Sequence, residues 1–283
     1  MHDVLDLCLE CKGCKRECPS QVDMAKMKVE FLHHYKARHG HTLKDKLVAH
    51  LPRYAGWAAR LAPLLNLRNR SPLLANLGEK WLGLSARRSL PQWQRKHFFN
   101  TAHTGATREQ VLAADKPVVL FVDTFNGYFE SPNAQAALQV LQAAGYTVHV
   151  AAKSSQGGDG HLCCGRTYLA TGMVDLAKEK ARELMAALLP FAQKGIAIVG
   201  LEPSCLLTLR DELQSMGLGN DARTIADHAL MLEEFLAHQA QGGKLDALKA
   251  RLKPLDQPIL LHGHCHQKAF GAVSPILDVI KLI

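Results

Sequence analysis

The run Pro117-Val-Val-Leu-Phe-Val-Asp123 is apolar at every position between its two ends. An unbroken apolar run of this length is typical of a strand that is buried on both faces of a parallel sheet. Further strands are predicted downstream, at residues 146–151, 196–200 and 258–261. Helical patterns lie between and after them, at residues 133–144, 172–193, 222–239 and 273–281. The alternation predicts an α/β fold with a Rossmann-like parallel sheet.

The composition is that of an ordinary folded protein. Hydrophobic residues make up 47% and charged residues 21% of the 283 positions, close to the averages for globular domains. These values exclude a disordered tail, a collagen-like repeat and a bundle of membrane helices. No apolar stretch approaches the roughly 18 residues that a membrane-spanning helix needs. The first ten residues lack the basic start of a signal peptide, so we expect a cytoplasmic protein.

The net charge of +8 is distributed unevenly along the chain. Residues 1–100 contain 18 Lys and Arg against 8 Asp and Glu, whereas residues 101–283 contain 16 against 18. The positions of the cysteines and prolines divide the chain further. We predict a small helical, ferredoxin-like module at residues 1–35, a basic helical connector at 36–115 and a cysteine-rich α/β domain at 116–283.

The first four cysteines form a tight motif near the N-terminus. Cys8, Cys11, Cys14 and Cys18 follow the spacing C-x2-C-x2-C-x3-C, and a proline comes next. This is the spacing with which bacterial ferredoxins bind a [4Fe–4S] cluster through cysteine thiolates. Three thiolates at intervals of three residues can wrap one compact loop around a single cluster. The sequence therefore predicts an iron–sulfur cluster at these residues.

Two other interpretations of this motif are a zinc site and free thiols. Zinc knuckles usually separate their cysteine pairs by a longer arm. Haem attachment requires C-x-x-C-H, and Lys12 or Lys15 stands where the histidine would be. The sequence contains no second copy of the motif. Either Cys18 completes this cluster, or the partner motif lies upstream or on another subunit.

The other four cysteines each follow a predicted strand. They are Cys163, Cys164, Cys205 and Cys265. In an open parallel sheet, ligands bind at the edge where the carboxyl ends of the strands meet. We therefore expect these cysteines to converge there and to form a second metal or redox centre. The alternative is that they are inert apolar side chains in the core.

Two further features give weaker signals. His262, His264 and His266 share one side of an extended backbone, and His264 is a candidate metal ligand, with a proton relay and a loop-holding role as alternatives. The basic zone has no recognisable nucleic-acid-binding fold, so we expect no nucleic acid. Two other roles are open to the basic zone. One is peripheral docking to anionic lipid on the inner face of the membrane through residues 50–70, and the other is attraction of an acidic redox partner.

Three of these segments, in this order, resemble the family of cysteine-rich CCG-domain electron-transfer proteins. The segments are Leu-Cys-Leu-Glu-Cys-Lys-Gly-Cys-Lys at residues 7–15, Cys-Cys-Gly at 163–165 and Gly-Leu-Glu-Pro-Ser-Cys at 200–205. The domain occurs in heterodisulfide reductase, in the iron–sulfur subunits of glycolate oxidase and anaerobic glycerol-3-phosphate dehydrogenase, and in the C-terminal half of large FAD-linked D-lactate and D-2-hydroxyglutarate dehydrogenases. The resemblance covers nearly the whole chain and is closest to the large FAD-linked type.

The chain also departs from the family pattern, which consists of two cysteine repeats. Thr124 and Glu202 stand where two cysteines of the first repeat are expected. The second repeat contains Cys265 but no Cys-Cys-Gly. Relatives of the large type also carry an FAD domain. The chain therefore resembles an internal fragment or the product of a split gene, with a truncated second repeat.

The resemblance implies a role in electron transfer. FAD on a missing domain or a partner subunit would oxidise a 2-hydroxy acid such as D-lactate, glycolate or D-2-hydroxyglutarate. Electrons would then pass through the two cysteine centres to a quinone or another acceptor. No glycine-rich phosphate loop follows a predicted strand, so the chain alone is expected to be inactive toward the hydroxy acid. The alternatives are heterodisulfide-reductase-like thiol chemistry at the CCG site and a zinc-binding structural module.

Overall fold

The computed structural model describes residues 2–101, 105–152 and 161–283, and within these residues four strands form one sheet. The strands are β1 (Pro117–Phe121), β2 (Thr147–Val150), β3 (Ile198–Gly200) and β4 (Ala229–Met231). Their order across the sheet is β2-β1-β3-β4, and every neighbouring pair is parallel. The predicted α/β class and the parallel sheet are confirmed.

The strand order places β1 and β3 at the centre of the sheet. Pro117 of β1 pairs with Thr147 of β2, and Val119 of β1 pairs with Ile198 of β3. The chain leaves β1 toward β2 on one side and then crosses back to β3 on the other side. The strand order therefore reverses between β1 and β3, and in open α/β sheets the crevice at such a reversal is the usual ligand site.

Helices surround the sheet and form the N-terminal third of the chain. Those before β1 are α1 (His2–Asp6), α2 (Gly13–Glu17), α3 (Met24–His39), α4 (Leu43–Ala49), α5 (Leu51–Arg60), α6 (Ala62–Leu65), α7 (Pro72–Leu82) and α8 (Arg108–Leu112). Those between β1 and β3 are α9 (Thr124–Tyr128), α10 (Ser131–Ala143), α11 (Arg166–Leu169) and α12 (Val174–Ala192). Those after β3 are α13 (Pro203–Arg210), α14 (Glu212–Ser215), α15 (Asn220–His228), α16 (Leu232–Gln241), α17 (Asp246–Lys249), α18 (Cys265–Ala269) and α19 (Ser274–Ile280). Two 3-10 helices lie at Asn66–Asn69 and Phe98–Asn100.

Strand β1 is apolar throughout because helices cover both faces of the sheet. Val119 and Phe121 belong to one buried cluster, which includes side chains of α12 and α13. Val118 and Leu120 belong to a second buried cluster, which includes side chains of α10 and α16. Successive side chains of a strand point to opposite faces, so each face of β1 contributes to a different half of the core. The double burial explains why no position between the ends of the run is polar.

The predicted strand at residues 258–261 is wrong. These residues form no strand, Leu260 is 98% exposed, and Ile259 is also exposed. The fourth strand is Ala229–Met231, which interrupts the helix predicted at residues 222–239. The reason is tertiary: these three residues pair with β3, and Ala229 and Met231 are buried there. A three-residue strand is too short to produce a recognisable alternation.

The N-terminal third consists of short helices. The first 18 residues contain α1 and α2, each of five residues, with the cysteines around them. Helix α3 runs across residue 35, and the three predicted zones remain a prediction. In the part of the chain that the structure describes, no helix is both long and apolar enough to cross a membrane.

Candidate functional site

Three thiols meet beside the carboxyl ends of the strands. Cys163 and Cys164 lie in the loop before α11, and Cys205 lies in the first turn of α13, just after β3. All three side chains are buried. The thiol of Cys164 interacts with the thiols of both Cys163 and Cys205, and each of these interactions shifts the pKa of the neighbouring thiol. Three of the four cysteines predicted for the second centre are therefore neighbours, but they do not form a preformed metal site within the described residues.

Gly165 makes the turn that positions the adjacent cysteines. Its φ is +84°, a left-handed conformation that other residues rarely adopt. A Cβ atom at this position would lie 3.1 Å from the carbonyl oxygen of Ala177 in α12. The N–H of Gly165 donates to the sulfur of Cys163 at 3.3 Å. This glycine therefore allows the loop to turn directly after the two cysteines.

Acidic side chains occupy the crevice between β1 and β3. Asp123 follows β1 and accepts hydrogen bonds from the backbone N–H of Phe125 at 2.8 Å and of Asn126 at 3.1 Å. Glu202 follows β3 and accepts a hydrogen bond from the hydroxyl of Ser204 at 2.6 Å. Carboxylates thus stand at or beside the positions of the two missing family cysteines. Asp123 was not singled out from the sequence, although a polar residue directly after a buried strand could have indicated it.

Burial controls the protonation of this site. It raises the pKa of Asp123 to about 6, despite opposing hydrogen bonds from Asn126. The pKa of Cys205 is raised to about 12: its hydrogen bond with Cys164 acts to lower it, but burial and the charges of Asp123 and Glu202 outweigh that bond. The hydrogen bond with Cys164, together with burial, raises the pKa of Cys163 well above its ordinary value. In the absence of a metal, these thiols are therefore protonated at neutral pH.

The four N-terminal cysteines lie in a loop at the surface. Cys11 is exposed, and Cys8, Cys14 and Cys18 are partly exposed. Cys14 lies in α2, and Cys18 follows that helix directly. Gly13 leaves space beside the loop, since a Cβ there would lie 3.7 Å from the sulfur of Cys11. All four thiols are free and none is enclosed in the apolar core.

Backbone N–H groups point at two of these sulfurs. The N–H of Met24 donates to the sulfur of Cys14 at 3.4 Å. Hydrogen bonds from the N–H groups of Val22 and Ser20 lower the pKa of Cys18. Donors of this kind stabilise the negative charge of a thiolate, which is the form that binds metal.

The donor chemistry of this loop fits an iron–sulfur group, although no preformed metal site is present in the described residues. Four thiols lie in one short loop, N–H groups approach their sulfurs, and lysines accompany them. Within residues 2–101, 105–152 and 161–283, however, no three His, Cys, Asp or Glu side chains come together closely enough to hold a metal ion. A cluster at these cysteines therefore rests on the donor set.

A buried lysine connects the N-terminal loop to the α/β domain. Lys12 lies between Cys11 and Cys14, and only 1% of it is exposed. Its ammonium group lies 2.5 Å from a carboxylate oxygen of Asp211 and 2.8 Å from one of Glu212. Burial opposes the charge on Lys12, but the charge of Glu212 and hydrogen bonds to both carboxylates raise its pKa overall. The φ of Lys12 is +60°, so the backbone itself is bent to direct this side chain inward.

An arginine extends the same network to the second group of cysteines. Arg166 directly follows Gly165 and forms ion pairs with Glu212 and, at 3.2 Å, with Glu10 of the N-terminal loop. Burial opposes its charge, but the charges of Glu212 and Glu10 raise the pKa of Arg166 overall. Glu10 has a φ of +54°, the second strained residue of the loop. We call Glu10, Lys12, Arg166, Asp211 and Glu212 the docking network.

Cys265 and its histidines lie beside the docking network. Cys265 is the first residue of α18 and is exposed, and α18 contacts both α2 and α13. His266 is buried, and its Nε2 donates to the carbonyl oxygen of Glu10 at 2.9 Å. His264 caps α18, since its Nδ1 accepts the N–H of His266 at 3.1 Å. Cys265 thus lies on a helix between the two groups of cysteines, and His264 is the N-cap of that helix, in keeping with the loop-holding alternative.

Comparison with known proteins finds relatives of one kind. No family model and no solved structure matches the chain. A D-2-hydroxyglutarate dehydrogenase of Haemophilus influenzae is 24% identical over 288 residues, which cover 97% of this chain and 27% of that protein. The Escherichia coli and Pseudomonas putida proteins of the same name are 26% and 25% identical, covering 84% and 76% of this chain and 23% and 21% of their own length. The chain spans about a quarter of the length of these relatives. Over most of its length, it is thus similar to part of the D-2-hydroxyglutarate dehydrogenases.

Proposed function

We propose that this chain is the iron–sulfur electron-transfer part of an FAD-linked 2-hydroxy-acid dehydrogenase. The similarity to D-2-hydroxyglutarate dehydrogenases supports the oxidoreductase class and favours D-2-hydroxyglutarate over D-lactate or glycolate. FAD is bound by another domain or a partner subunit. The chain receives electrons from that flavin and passes them to a quinone or another electron carrier.

The observation that carries this proposal is the docking network. Electron transfer between two centres requires that they be held at a constant separation in a rigid medium. Glu10 and Lys12 flank Cys11 in the first group, and Arg166 stands two residues after Cys164 in the second. The direct ion pair between Glu10 and Arg166 therefore joins the backbones that carry the two groups.

The first centre would be held by Cys8, Cys11, Cys14 and Cys18. A [4Fe–4S] cluster at these residues would supply one-electron oxidation and reduction. The residues of the chain bind and surround it: N–H groups donate to the sulfurs of Cys14 and Cys18. In this proposal Cys18 completes the same cluster, because it directly follows the helix that carries Cys14.

The second centre would be held by Cys163, Cys164 and Cys205, with Cys265 as the fourth ligand. The mutual interaction of the first three thiols supports this part of the proposal. Cys265 would have to turn inward from its exposed position on α18. His264 is a weaker candidate, because its Nδ1 already accepts a backbone hydrogen bond.

Counting iron and sulfide after anaerobic purification tests the proposal. We expect iron and acid-labile sulfide in equal amounts, with the broad visible absorption of iron–sulfur clusters. Cys11→Ser should remove about half of the iron if two similar clusters are bound, and Cys205→Ser should remove the other part. Cys265→Ser tests the fourth ligand in the same way. Zinc in place of iron would contradict the proposal and support a structural zinc module.

Activity measurements give a separate test. We expect the 283-residue chain without an added flavoprotein to reduce no dye in the presence of D-2-hydroxyglutarate or D-lactate, because none of the described strands is followed by the G-x-G-x-x-G fingerprint of a dinucleotide-binding loop. Addition of the flavin-containing partner should allow reduction of the iron. Dye reduction by the chain alone would contradict the division of labour proposed here.

Heterodisulfide-reductase-like chemistry is a second candidate. The contact between the adjacent Cys163 and Cys164 and the third thiol of Cys205 favours it, because a vicinal pair with a neighbouring thiol can exchange with a disulfide. The carboxylates of Asp123 and Glu202 oppose it, because they disfavour a thiolate at Cys205. Turnover of a mixed disulfide substrate by the iron-loaded protein would distinguish the two functions.

A further inference from the structure

In helices α5, α6 and α7, small apolar side chains are buried and large apolar side chains are exposed. Their buried apolar residues are mainly alanines, at positions 55, 58, 59, 62 and 75. Large apolar side chains normally fill the interior. Here they are exposed: Trp57, Leu61, Leu64, Leu73, Leu77 and Trp81. We call these six residues the apolar face.

The apolar face is formed by consecutive segments of the chain, each of which contacts the next. Helix α5 contacts α6, α6 contacts the 3-10 helix at Asn66–Asn69, and that helix contacts α7. On α7, Leu73, Leu77 and Trp81 are four residues apart and lie on the same side. Trp57 of α5 and Trp81 of α7 are 69% and 75% exposed. An exposed apolar surface of this kind marks a site of interaction.

The charge around the face is almost entirely positive. Residues 51–100 contain nine Lys and Arg and a single acidic residue, Glu79. Arg60 and Lys80 are exposed beside the two tryptophans, and the guanidinium of Arg60 lies 5.0 Å from the ring centroid of Trp57. A second copy of this chain would bring two such basic surfaces together. The complementary surface is therefore an apolar one with negative charge.

We propose that the apolar face docks on a bilayer surface that contains anionic lipid. Tryptophan rings lie preferentially at the level of the lipid headgroups, and leucines on short helices reach the acyl boundary below them. Lys and Arg beside the face pair with the lipid phosphates. The contact is peripheral, because it is made by side chains of helices that lie along the bilayer surface. This inference stands apart from the electron-transfer function and does not require a cluster.

Vesicle binding by the 283-residue chain tests the proposal. Vesicles of phosphatidylglycerol mixed with phosphatidylcholine should carry the protein down on sedimentation, and pure phosphatidylcholine vesicles should carry much less. Binding should weaken as salt is added, since the charge attraction is screened. Tryptophan emission should shift to the blue on binding as the rings of Trp57 and Trp81 leave water.

Paired variants separate the apolar from the charged contribution. Trp57→Ala and Trp81→Ala should each weaken binding, while Leu260→Ala, at a 98% exposed leucine outside the face, should leave it unchanged. Arg60→Gln and Lys80→Gln should each weaken binding about fivefold, as expected for one cation near an anionic surface. Lys194→Gln and Lys253→Gln, at exposed lysines elsewhere, are the charge controls. Circular dichroism and thermal unfolding check that each variant is folded.

Four results would overturn the proposal. They are absence of binding at low salt, equal binding to charged and neutral vesicles, equal effects of the face variants and their controls, and a stable dimer in light scattering that Trp57→Ala or Trp81→Ala dissociates. The last result would assign the face to a second copy of the chain.

Discussion

The ammonium group of Lys12 lies 2.5 Å from the carboxylate of Asp211, although 199 residues separate the two in sequence. Lys15 and Lys26 bind the other oxygen of the same carboxylate, at 2.9 Å and 2.6 Å. Burial opposes ionisation of Asp211, but the hydrogen bonds from these three lysines hold its pKa well below its usual range. The N-terminal loop is thus attached to the α/β domain by charge as well as by apolar packing.

Removal of the buried cation should destabilise the docked loop. Lys12→Met leaves Glu212 with one cation fewer and Asp211 with only Lys15 and Lys26. Loss of one member of a buried ion pair typically costs 3–5 kcal/mol, and because the lysines partly compensate we expect about 3 kcal/mol. Urea unfolding would measure this loss, and limited proteolysis would detect release of the loop.

A neighbouring lysine provides the control for this prediction. Lys15 also binds Asp211, but a third of its side chain is exposed. Lys15→Met should therefore cost less than about 1 kcal/mol, as for surface ion pairs. Glu212→Gln combined with Lys12→Met should recover part of the loss, because it removes a buried negative charge for which Arg166 would be the remaining partner. Equal effects of Lys12→Met and Lys15→Met would contradict the assigned role of Lys12.

The buried carboxyl of Asp123 should make stability depend on pH. Its pKa in the folded protein is about 6, above the ordinary value of 3.8. Ionisation of Asp123 therefore opposes folding. The free energy of unfolding is unaffected below the pKa of the unfolded state, 3.8, falls as the pH rises from 3.8 to about 6, and stays reduced above about 6. Asp123→Asn removes this penalty and can still accept the N–H groups of Phe125 and Asn126.

Comparison of variants at several pH values checks this prediction. The free energy of unfolding of Asp123→Asn relative to wild type should rise between pH 3.8 and about 6, and then level off. At about 1.4 kcal/mol per pKa unit, the total rise should be roughly 3 kcal/mol. Asp115→Asn, at an exposed residue before β1, controls for the substitution itself. A difference that stays constant with pH would show that Asp123 is ionised without penalty.

Two glycines with the same backbone conformation allow the cost of backbone strain to be measured separately from the cost of steric crowding. Gly165 and Gly145 both have a φ of +84°, but no atom lies within 4 Å of the position that a Cβ would take at Gly145. Gly145→Ala should therefore cost only the backbone strain, about 1 kcal/mol. Gly165→Ala should cost more, about 2–3 kcal/mol, because the new Cβ meets the backbone of Ala177. Thermal unfolding would compare them, and equal losses would contradict the close approach.

The eight thiols should fall into two classes of reactivity in protein prepared without iron. The accessible class consists of the exposed and partly exposed thiols: Cys8, Cys11, Cys14, Cys18 and Cys265. The other three, Cys163, Cys164 and Cys205, are buried and have raised pKa values, so they should react slowly. A thiol reagent should count five fast thiols in the native state and eight in denaturant. Cys205→Ala should reduce the slow class to two, and rapid reaction of all eight would show that the site is open.

Much of the fold was predictable because its signals are local. The apolar run of β1 predicted a doubly buried strand, and the helix predicted at residues 133–144 is present as Ser131–Ala143. The turn at Gly165 also has a local cause, because glycine adopts the positive φ of this turn more readily than any other residue. The strand at residues 229–231 was not predictable, because pairing with β3 rather than local preference keeps these three residues extended.

The sequence alone identifies the two groups of cysteines as candidate ligands, because the spacing between ligands can be read from the order of residues. Their relation in space does not. Lys12 and Glu10 point inward, and Arg166 meets both Glu10 and Glu212, only because distant segments are packed together. Burial raises the pKa of the Asp123 carboxyl to about 6. The packing also encloses Cys205, whereas Cys265 remains exposed. Desolvation and ion pairing depend on neighbours brought from remote positions, so these properties arise from tertiary packing and not from any local motif.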